Sequence, residues 1–235
     1  MLQAKPNNPL IDLLVAIVIP AVILMKFSDA ADLGAVRALL LALAFPLVWG
    51  ALDLIRRRKL NLFAVLGLVS ILLTGGIGLL ELDRQWLAVK EAAIPGLIGL
   101  GVLVSTRTRY PLIRTLLYTP ALIDVARVQQ HLEERGTAQA FEARLQTATY
   151  LLGATFFFSA TMNYWLASRI VTSPAGSVAF NEELGRLTLM SYPMIAIPSM
   201  LMMLAVFYYL ARALRGLAGL KLMEVFNQPG DRHDA

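Results

Sequence analysis

The chain has no cysteine and only two histidines among its 235 residues. Without cysteine it can form no disulfide and no thiolate metal site, and it offers no cysteine nucleophile. The histidines, His131 and His233, stand in polar stretches, and His131 with Glu134 supplies only two ligands at helical spacing. Two ligands are too few to hold a metal ion. We therefore expect no metal, no haem and no other cofactor.

Charged residues are also scarce. They make up 16% of the chain, whereas about a quarter of the residues of a soluble domain are charged. The shortage comes from long uncharged runs, which predict a helical membrane protein. The net charge is +5, but the basic residues cluster beside the apolar runs, as topology signals do. We therefore expect membrane lipids, and no nucleic acid, as partners.

Common catalytic and nucleotide-binding motifs are missing from the sequence as well. It contains no G-x-S-x-G, no H-E-x-x-H and no P-loop. We therefore assign no catalytic residue and expect a non-enzymatic protein. An intramembrane enzyme that uses none of these motifs is a third interpretation, behind the two described below.

Six apolar runs dominate what is present. They predict an all-α fold, a polytopic membrane bundle of six transmembrane helices that forms a single domain over residues 1–235. A polar loop is expected from Ser168 to Arg186, between the last two spans. The predicted spans are Leu10–Phe27, Leu33–Leu54, Leu62–Leu80, Trp86–Val104, Leu145–Ala167 and Leu187–Ala211.

A polar insert at about 107–144 separates the fourth and fifth spans and is too interrupted to cross a bilayer. Within it Leu122, Val125, Val128 and Leu132 recur at helical spacing, with charged residues between them. This pattern predicts an amphipathic cytoplasmic helix, either on the membrane surface or packed beneath the bundle. Gly136 is expected to end it.

The distribution of basic residues predicts the orientation in the membrane. Six spans place both termini on one side. Of the 21 lysines and arginines, 15 fall on that side, in the leader, the second loop, the insert and the tail. The positive-inside rule therefore predicts that both termini are cytoplasmic.

The hairpin between the third and fourth spans carries the first candidate site. Lys90 and Glu91 lie about one turn inside the fourth span, and Glu81 and Asp83 lie across the turn. Such charges can mark an ion or proton entry site or a head-group contact. Alternatively, they form an interfacial ion-pair cluster in which Lys90 snorkels outward beside Trp86. We hypothesise that Lys90 pairs with an acid at the end of the third span.

The second candidate site lies in the fifth span, where Asn163 and Tyr164 interrupt an apolar run and Ser159 shares the face of Asn163. The amide could bind a substrate or hold two helices together. In the sixth span Pro193 and Pro198 predict either a broken helix that exposes carbonyls, as in transporters, or a simple kink.

The stretch from about Arg56 to Ser105 resembles the intracellular septation protein A family of bacterial inner-membrane proteins, as a divergent branch. The chain departs from the family pattern after Lys90, where Glu91 and Ala92 stand in place of proline and threonine. The resemblance implies an inner-membrane protein of the cell envelope that is connected with division, and it implies no catalytic residue. The features that carry it are Arg58-Lys59, Gly75-Gly76, Asp83, Trp86, Lys90 and Ser105.

Two functions follow from these observations. The first is a scaffold of the envelope, with membrane lipids and envelope or division proteins as partners, and homo-oligomerisation left open. The second is a small proton- or ion-coupled transporter or channel that uses the hairpin charges and the fifth helix. A water-filled cavity shared by Lys90, Glu91 and Asn163 would favour transport, and a dry packed centre would favour the scaffold.

Overall fold

A computed structural model describes residues 14–57, 62–107 and 125–220 of the chain. Every regular element in these ranges is helical. Helix α1 joins a π-helical turn, Leu14–Val18, to the α-helix Ile19–Lys26. The next six are α2 (Ala35–Arg57), α3 (Leu62–Leu79), α4 (Gln85–Ser105), α5 (Val125–Glu134), α6 (Ala138–Ile170) and α7 (Val178–Ser191). A π-helical turn, Tyr192–Ala196, connects α7 to α8 (Ile197–Ala218).

The length and composition of the helices support the membrane class. Three helices of the described ranges are long and apolar enough to cross a bilayer: Ala35–Leu52 within α2, α4, and the continuous helix Val178–Ala218. The apolar part of α3, Val65–Leu79, is shorter. The all-helical prediction is therefore confirmed over these ranges. The six spans and the single domain stay predictions, and the start of the first span, the basic residues Arg58 and Lys59 and Leu122 lie outside the described residues.

The predicted loop Ser168–Arg186 is wrong over most of its length, because α6 continues to Ile170 and α7 already begins at Val178. Ser177 provides the start signal: its Oγ accepts a hydrogen bond of 3.1 Å from the backbone N–H of Phe180. The apolar residues that follow recur at helical spacing and are buried; they are Phe180, Leu184 and Leu187.

The prolines of the sixth span do not break it. The helix runs through Pro193 and Pro198 because the turn Tyr192–Ala196 widens to π-helix. The N–H of Ile197 then donates to the carbonyl oxygen of Tyr192, five residues earlier. A wider turn accommodates the proline ring while most backbone hydrogen bonds are kept. The interpretation as a broken helix is therefore wrong.

The chain forms two compact units, whose boundaries fall inside α4, α6 and the helix of residues 178–218. Unit 1 comprises residues 1–94 and 160–197. Its core is apolar and surrounds Phe180, which is fully buried. Leu39 of α2, Ile77 of α3, Leu87 of α4 and Leu166 of α6 belong to the same cluster. Each of these helices buries part of its surface in this cluster.

Unit 2 comprises residues 95–159 and 198–235. The predicted amphipathic helix is present here as α5, and Gly136 follows its end with a positive φ of 67°. Val128 and Leu132 are buried in one cluster with Leu145 of α6 and Leu214 of α8. The apolar face of α5 is therefore covered by protein, which favours the packed alternative over a helix lying free on lipid.

Several glycines permit close approach of neighbouring helices. A Cβ atom at Gly185 would lie 2.8 Å from the carbonyl oxygen of Ala21, so α7 and α1 of unit 1 pack backbone against backbone. Gly75, Gly78 and Gly99 also face side chains of neighbouring helices, whereas Gly76 and Gly101 face open space. The packing role thus holds for only some of the glycines of α3 and α4.

We expect Gly185→Ala to destabilise the protein by about 1–3 kcal/mol, because the new methyl group meets a backbone atom that cannot turn away. The thermal midpoint in neutral detergent measures this. Gly67→Ala is the matched control, since Gly67 is also helical but has nothing within 4 Å of the added carbon. Equal midpoints of the two variants would contradict the close packing of α7 on α1.

Candidate functional site

Two hydroxyl groups of α3 prepare the site in unit 1. Ser70 and Thr74 are four residues apart and so share one face of an otherwise apolar helix. The Thr74 hydroxyl donates to the carbonyl oxygen of Ser70 at 3.0 Å. Because its only proton is used within the helix, the Thr74 oxygen can act towards a neighbouring helix only as an acceptor.

Lys90 of α4 uses these acceptors. Its Nζ donates to Thr74 Oγ1 at 2.8 Å and to Ser70 Oγ at 3.3 Å, and it lies 2.6 Å from Glu91 Oε1. A lysine ammonium group has three donors, and these three oxygens can take all of them. The side chain of Lys90 is 7% exposed and that of Glu91 is 29% exposed. A nearly buried charge is tolerable here because it is both paired and hydrogen-bonded.

This geometry corrects two of our expectations. The side chain of Lys90 does not extend away from the protein, because its ammonium group is buried against α3. Its counter-charge is Glu91 of the same helix rather than Glu81 or Asp83. The hypothesis that Lys90 pairs with an acid at the end of the third span is therefore wrong, although Lys90 still connects α4 to α3 through the hydroxyls of Ser70 and Thr74.

Asp83 and Glu81 have roles in the turn itself. The Asp83 carboxylate accepts a hydrogen bond of 2.8 Å from the backbone N–H of Gln85, the first residue of α4. Glu81 has a positive φ of 50°, and its side chain packs against Gly176. Gly176 itself has a φ of 82°, which disfavours any other residue there. Both acids therefore help to shape the connections of unit 1.

Glu183 of α7 has a structural role that the sequence analysis missed. Its carboxylate accepts four hydrogen bonds of 2.9–3.0 Å, from the backbone N–H and the hydroxyl of both Thr172 and Ser173. Arg84 in the turn before α4 donates to the carbonyl oxygen of Thr172. The connection at 171–177 is thus held by α7 on one side and by the 80–84 turn on the other.

Asn181 was missed as well, because it lies in the segment predicted as a loop. Its side chain is fully buried in unit 1. The Nδ2 group donates to Ser28 Oγ at 3.1 Å and to the carbonyl oxygen of Ala35 at 2.7 Å. Ser28 in turn donates to the carbonyl oxygen of Leu24 at 2.8 Å. This chain of hydrogen bonds fastens α7 to the connection between α1 and α2. The helix-start signal at Ser177 could have shown from the sequence that Asn181 lies in a helix.

Asn163 and Tyr164, the second predicted site, both lie on α6. Asn163 is half-buried and has an interaction partner within the protein. Tyr164 is 50% exposed. Neither residue supplies one of the three oxygens around Lys90. The described contacts therefore do not bring the two predicted sites together.

The chemistry available in the described ranges is limited. They contain no group of three His, Asp or Glu side chains placed to hold a metal ion. Two surface cavities of about 390 and 460 Å³ both belong to unit 2, and Lys90, Glu91 and Asn163 line neither of them. The contacts of Lys90 with Ser70, Thr74 and Glu91 make the charged cluster a packed contact between α3 and α4.

No family model, no curated protein and no solved structure matches the chain. The resemblance to the intracellular septation protein A family therefore stays a prediction.

We expect a measurable coupling between Lys90 and Thr74. Lys90→Met and Thr74→Val should each lower the free energy of unfolding. In the double variant the losses should fall short of additivity by roughly 0.6 kcal/mol, the average for hydrogen bonds between membrane helices, and by no more than about 1.7 kcal/mol, the maximum. Thermal midpoints in detergent give the ranking, and denaturant titrations give the energies.

Thr188→Val is the matched control for this cycle. Thr188 also lies in unit 1, is half-buried and donates to the carbonyl oxygen four residues earlier, but it is not among the hydrogen-bond partners of Lys90. Its combination with Lys90→Met should be additive. An additive result for Thr74 as well would show that the lysine–hydroxyl contact contributes nothing to stability.

We expect Glu183→Gln to loosen the connection at 171–177. The neutral amide offers one acceptor oxygen in place of two, and its NH₂ group faces donors. Hydrogen exchange at the amides of Thr172 and Ser173 should become about tenfold faster or more. Glu182→Gln serves as control, because the Glu182 carboxylate accepts no hydrogen bond from the described residues. Unchanged exchange in Glu183→Gln would refute the role of Glu183.

Proposed function

We propose that the chain is a non-enzymatic protein of the bacterial inner membrane. It crosses the membrane six times, has both termini in the cytoplasm, and acts as a scaffold through contacts with lipids and with envelope or division proteins. The class of helical membrane protein underlies this proposal, and the resemblance of Arg56–Ser105 to septation proteins supplies its link to the envelope.

The observation that carries the scaffold function is the saturation of Lys90. A residue that moves an ion or a substrate must exchange partners as its cargo passes. All three donors of Lys90 have protein acceptors, and two of these acceptors belong to the neighbouring helix. The Glu183 carboxylate and the Nδ2 group of Asn181 likewise form hydrogen bonds that connect elements of unit 1. The buried polar groups therefore support a fixed arrangement of helices.

The connections of unit 1 support the proposed topology. The segments 27–34, 80–84 and 171–177 are the three loops that the six-span arrangement places outside the cytoplasm, and all three belong to this unit. Two of them touch, through Arg84 and Thr172 and through Glu81 and Gly176. Loops that contact each other lie at the same membrane face.

Proton- or ion-coupled transport is the second candidate, and one observation favours it. Lys90 and Glu91 form an ion pair with little exposure inside α4, which is long and apolar enough to cross a bilayer. Ionisable groups at such positions are expensive and commonly belong to ion or proton pathways.

The topology proposal is tested by cysteine labelling, for which the chain has no competing thiol. A membrane-impermeant maleimide added to intact spheroplasts should label Gln85→Cys. It should label Gln129→Cys and Gln139→Cys only after lysis. All three residues are exposed in the structure, so burial within the protein would not explain a difference in labelling. The reverse pattern would overturn the proposed orientation.

The choice between the two functions is tested with proteoliposomes and with cells. For a scaffold, an imposed pH or ion gradient should decay no faster than in empty liposomes. Deletion of the gene in the native bacterium should alter septum placement or envelope integrity. Expression of Lys90→Met at the wild-type level in the deletion strain should restore normal septum placement and envelope integrity. A gradient that wild type dissipates and Lys90→Met preserves would instead establish transport.

A further inference from the structure

The exposed face of α8 changes from apolar to aromatic to basic along its length. Leu201, Leu204, Tyr208, Arg212 and Arg215 follow one another at spacings of three and four residues. At 3.6 residues per turn these positions lie within an arc of about 80°. All five side chains are exposed. They therefore form one continuous stripe on unit 2, which we call the α8 stripe.

The basic end of the α8 stripe is exposed, and no acidic side chain of the described residues neutralises its positive charge. Neither Arg212 nor Arg215 has a carboxylate partner among the described residues. Beside them lies a groove of about 460 Å³, which Tyr208, Ala211 and Gly216 also line. Because alanine and glycine project little, they leave space between the two guanidinium groups and the phenol ring. The groove thus offers positive charge, hydrogen-bond donors and an aromatic surface.

The dimensions of the stripe match one leaflet of a bilayer. At a rise of 1.5 Å per residue, Leu201 and Arg212 are about 16 Å apart along α8. Half of a hydrocarbon core is about 15 Å thick. With Leu201 near the midplane, Arg212 and Arg215 therefore reach the level of the lipid phosphates, and Tyr208 lies at the interface where tyrosine is enriched.

We propose that the α8 stripe binds an anionic phospholipid of the cytoplasmic leaflet. Arg212 and Arg215 donate to the phosphate, Tyr208 packs against the glycerol region, and Leu201 and Leu204 contact an acyl chain. The proposal rests on the membrane span and the orientation proposed above for α8. Guanidinium groups suit the phosphate because they form paired, charge-assisted hydrogen bonds.

The continuity of the stripe favours a lipid over other anionic ligands. A free phosphate or an acidic peptide could use the two arginines, but it would leave the apolar turns at Leu201 and Leu204 without a function. A molecule with a negative head and an apolar chain uses the whole stripe. Apolar contact and charge attraction both add to the affinity of such a ligand.

The test titrates lipid into the full-length protein in neutral detergent and follows binding by native mass spectrometry. Phosphatidylglycerol should bind at least about tenfold more tightly than phosphatidylcholine with the same chains. Glycerol 1-phosphate should not compete at equal concentration. Arg212→Gln/Arg215→Gln should weaken phosphatidylglycerol binding roughly 30-fold, the equivalent of about 1 kcal/mol for each arginine. Arg212→Lys/Arg215→Lys should keep most of the affinity.

Arg169→Gln/Arg186→Gln is the matched control, because it removes two positive charges from exposed arginines of unit 1. It should change the affinity less than about twofold. Three results would each overturn the proposal: equal loss in this control, equal binding of phosphatidylcholine, or competition by glycerol 1-phosphate. If the double glutamine variant does not fold, the single variants Arg212→Gln and Arg215→Gln decide, and each should weaken phosphatidylglycerol binding by about fivefold.

The outcome is independent of the labelling experiment. Selective binding together with reversed labelling would leave the lipid site in place but move it to the other leaflet. Correct labelling without lipid selectivity would preserve the topology and refute the site.

Discussion

The structure depends on one constraint: a polar group that leaves water must find its partners inside the protein. Lys90 shows how fully the constraint is met, with two hydroxyls of α3 and the carboxylate of Glu91 around one ammonium group. Glu183 follows the same rule in unit 1, whereas the buried Asn181 meets it only in part: its Nδ2 group has two acceptors, but its Oδ1 has no hydrogen-bond partner among the described residues. Polar contacts of this kind select which helix faces meet, because an apolar face alone fits many partners equally well.

This constraint explains why some features of the structure could be predicted from the sequence and others could not. Hydropathy locates α2, α4 and α5 to within a few residues, since each depends on its own composition and periodicity. The spacing of Val128 and Leu132 identified the buried face of α5 in the same way. Such features are local, so one sequence is enough to find them.

The partners of Lys90 could not be found in this way. Serine and threonine are ordinary in apolar helices, and nothing local to Ser70 or Thr74 shows which way α3 turns relative to α4. The error at α7 has a different cause. Glu182, Glu183 and Arg186 made the segment look like a loop, although the apolar residues between them keep helical spacing. The Glu183 carboxylate accepts hydrogen bonds from Thr172 and Ser173 in the connection at 171–177, a contact that only the folded chain creates.

The position of Glu91 directly after Lys90 also bears on biogenesis. Since both charges belong to α4, they can neutralise each other as soon as this helix forms, before α3 has docked. A helix that carries its own counter-charge enters the lipid at a lower cost than one with an isolated lysine. The hydroxyls of α3 become available only afterwards, when the two helices associate. Insertion and association of this hairpin would then be separable steps: Glu91 would be the partner of Lys90 in the first, and the hydroxyls of α3 would be added in the second.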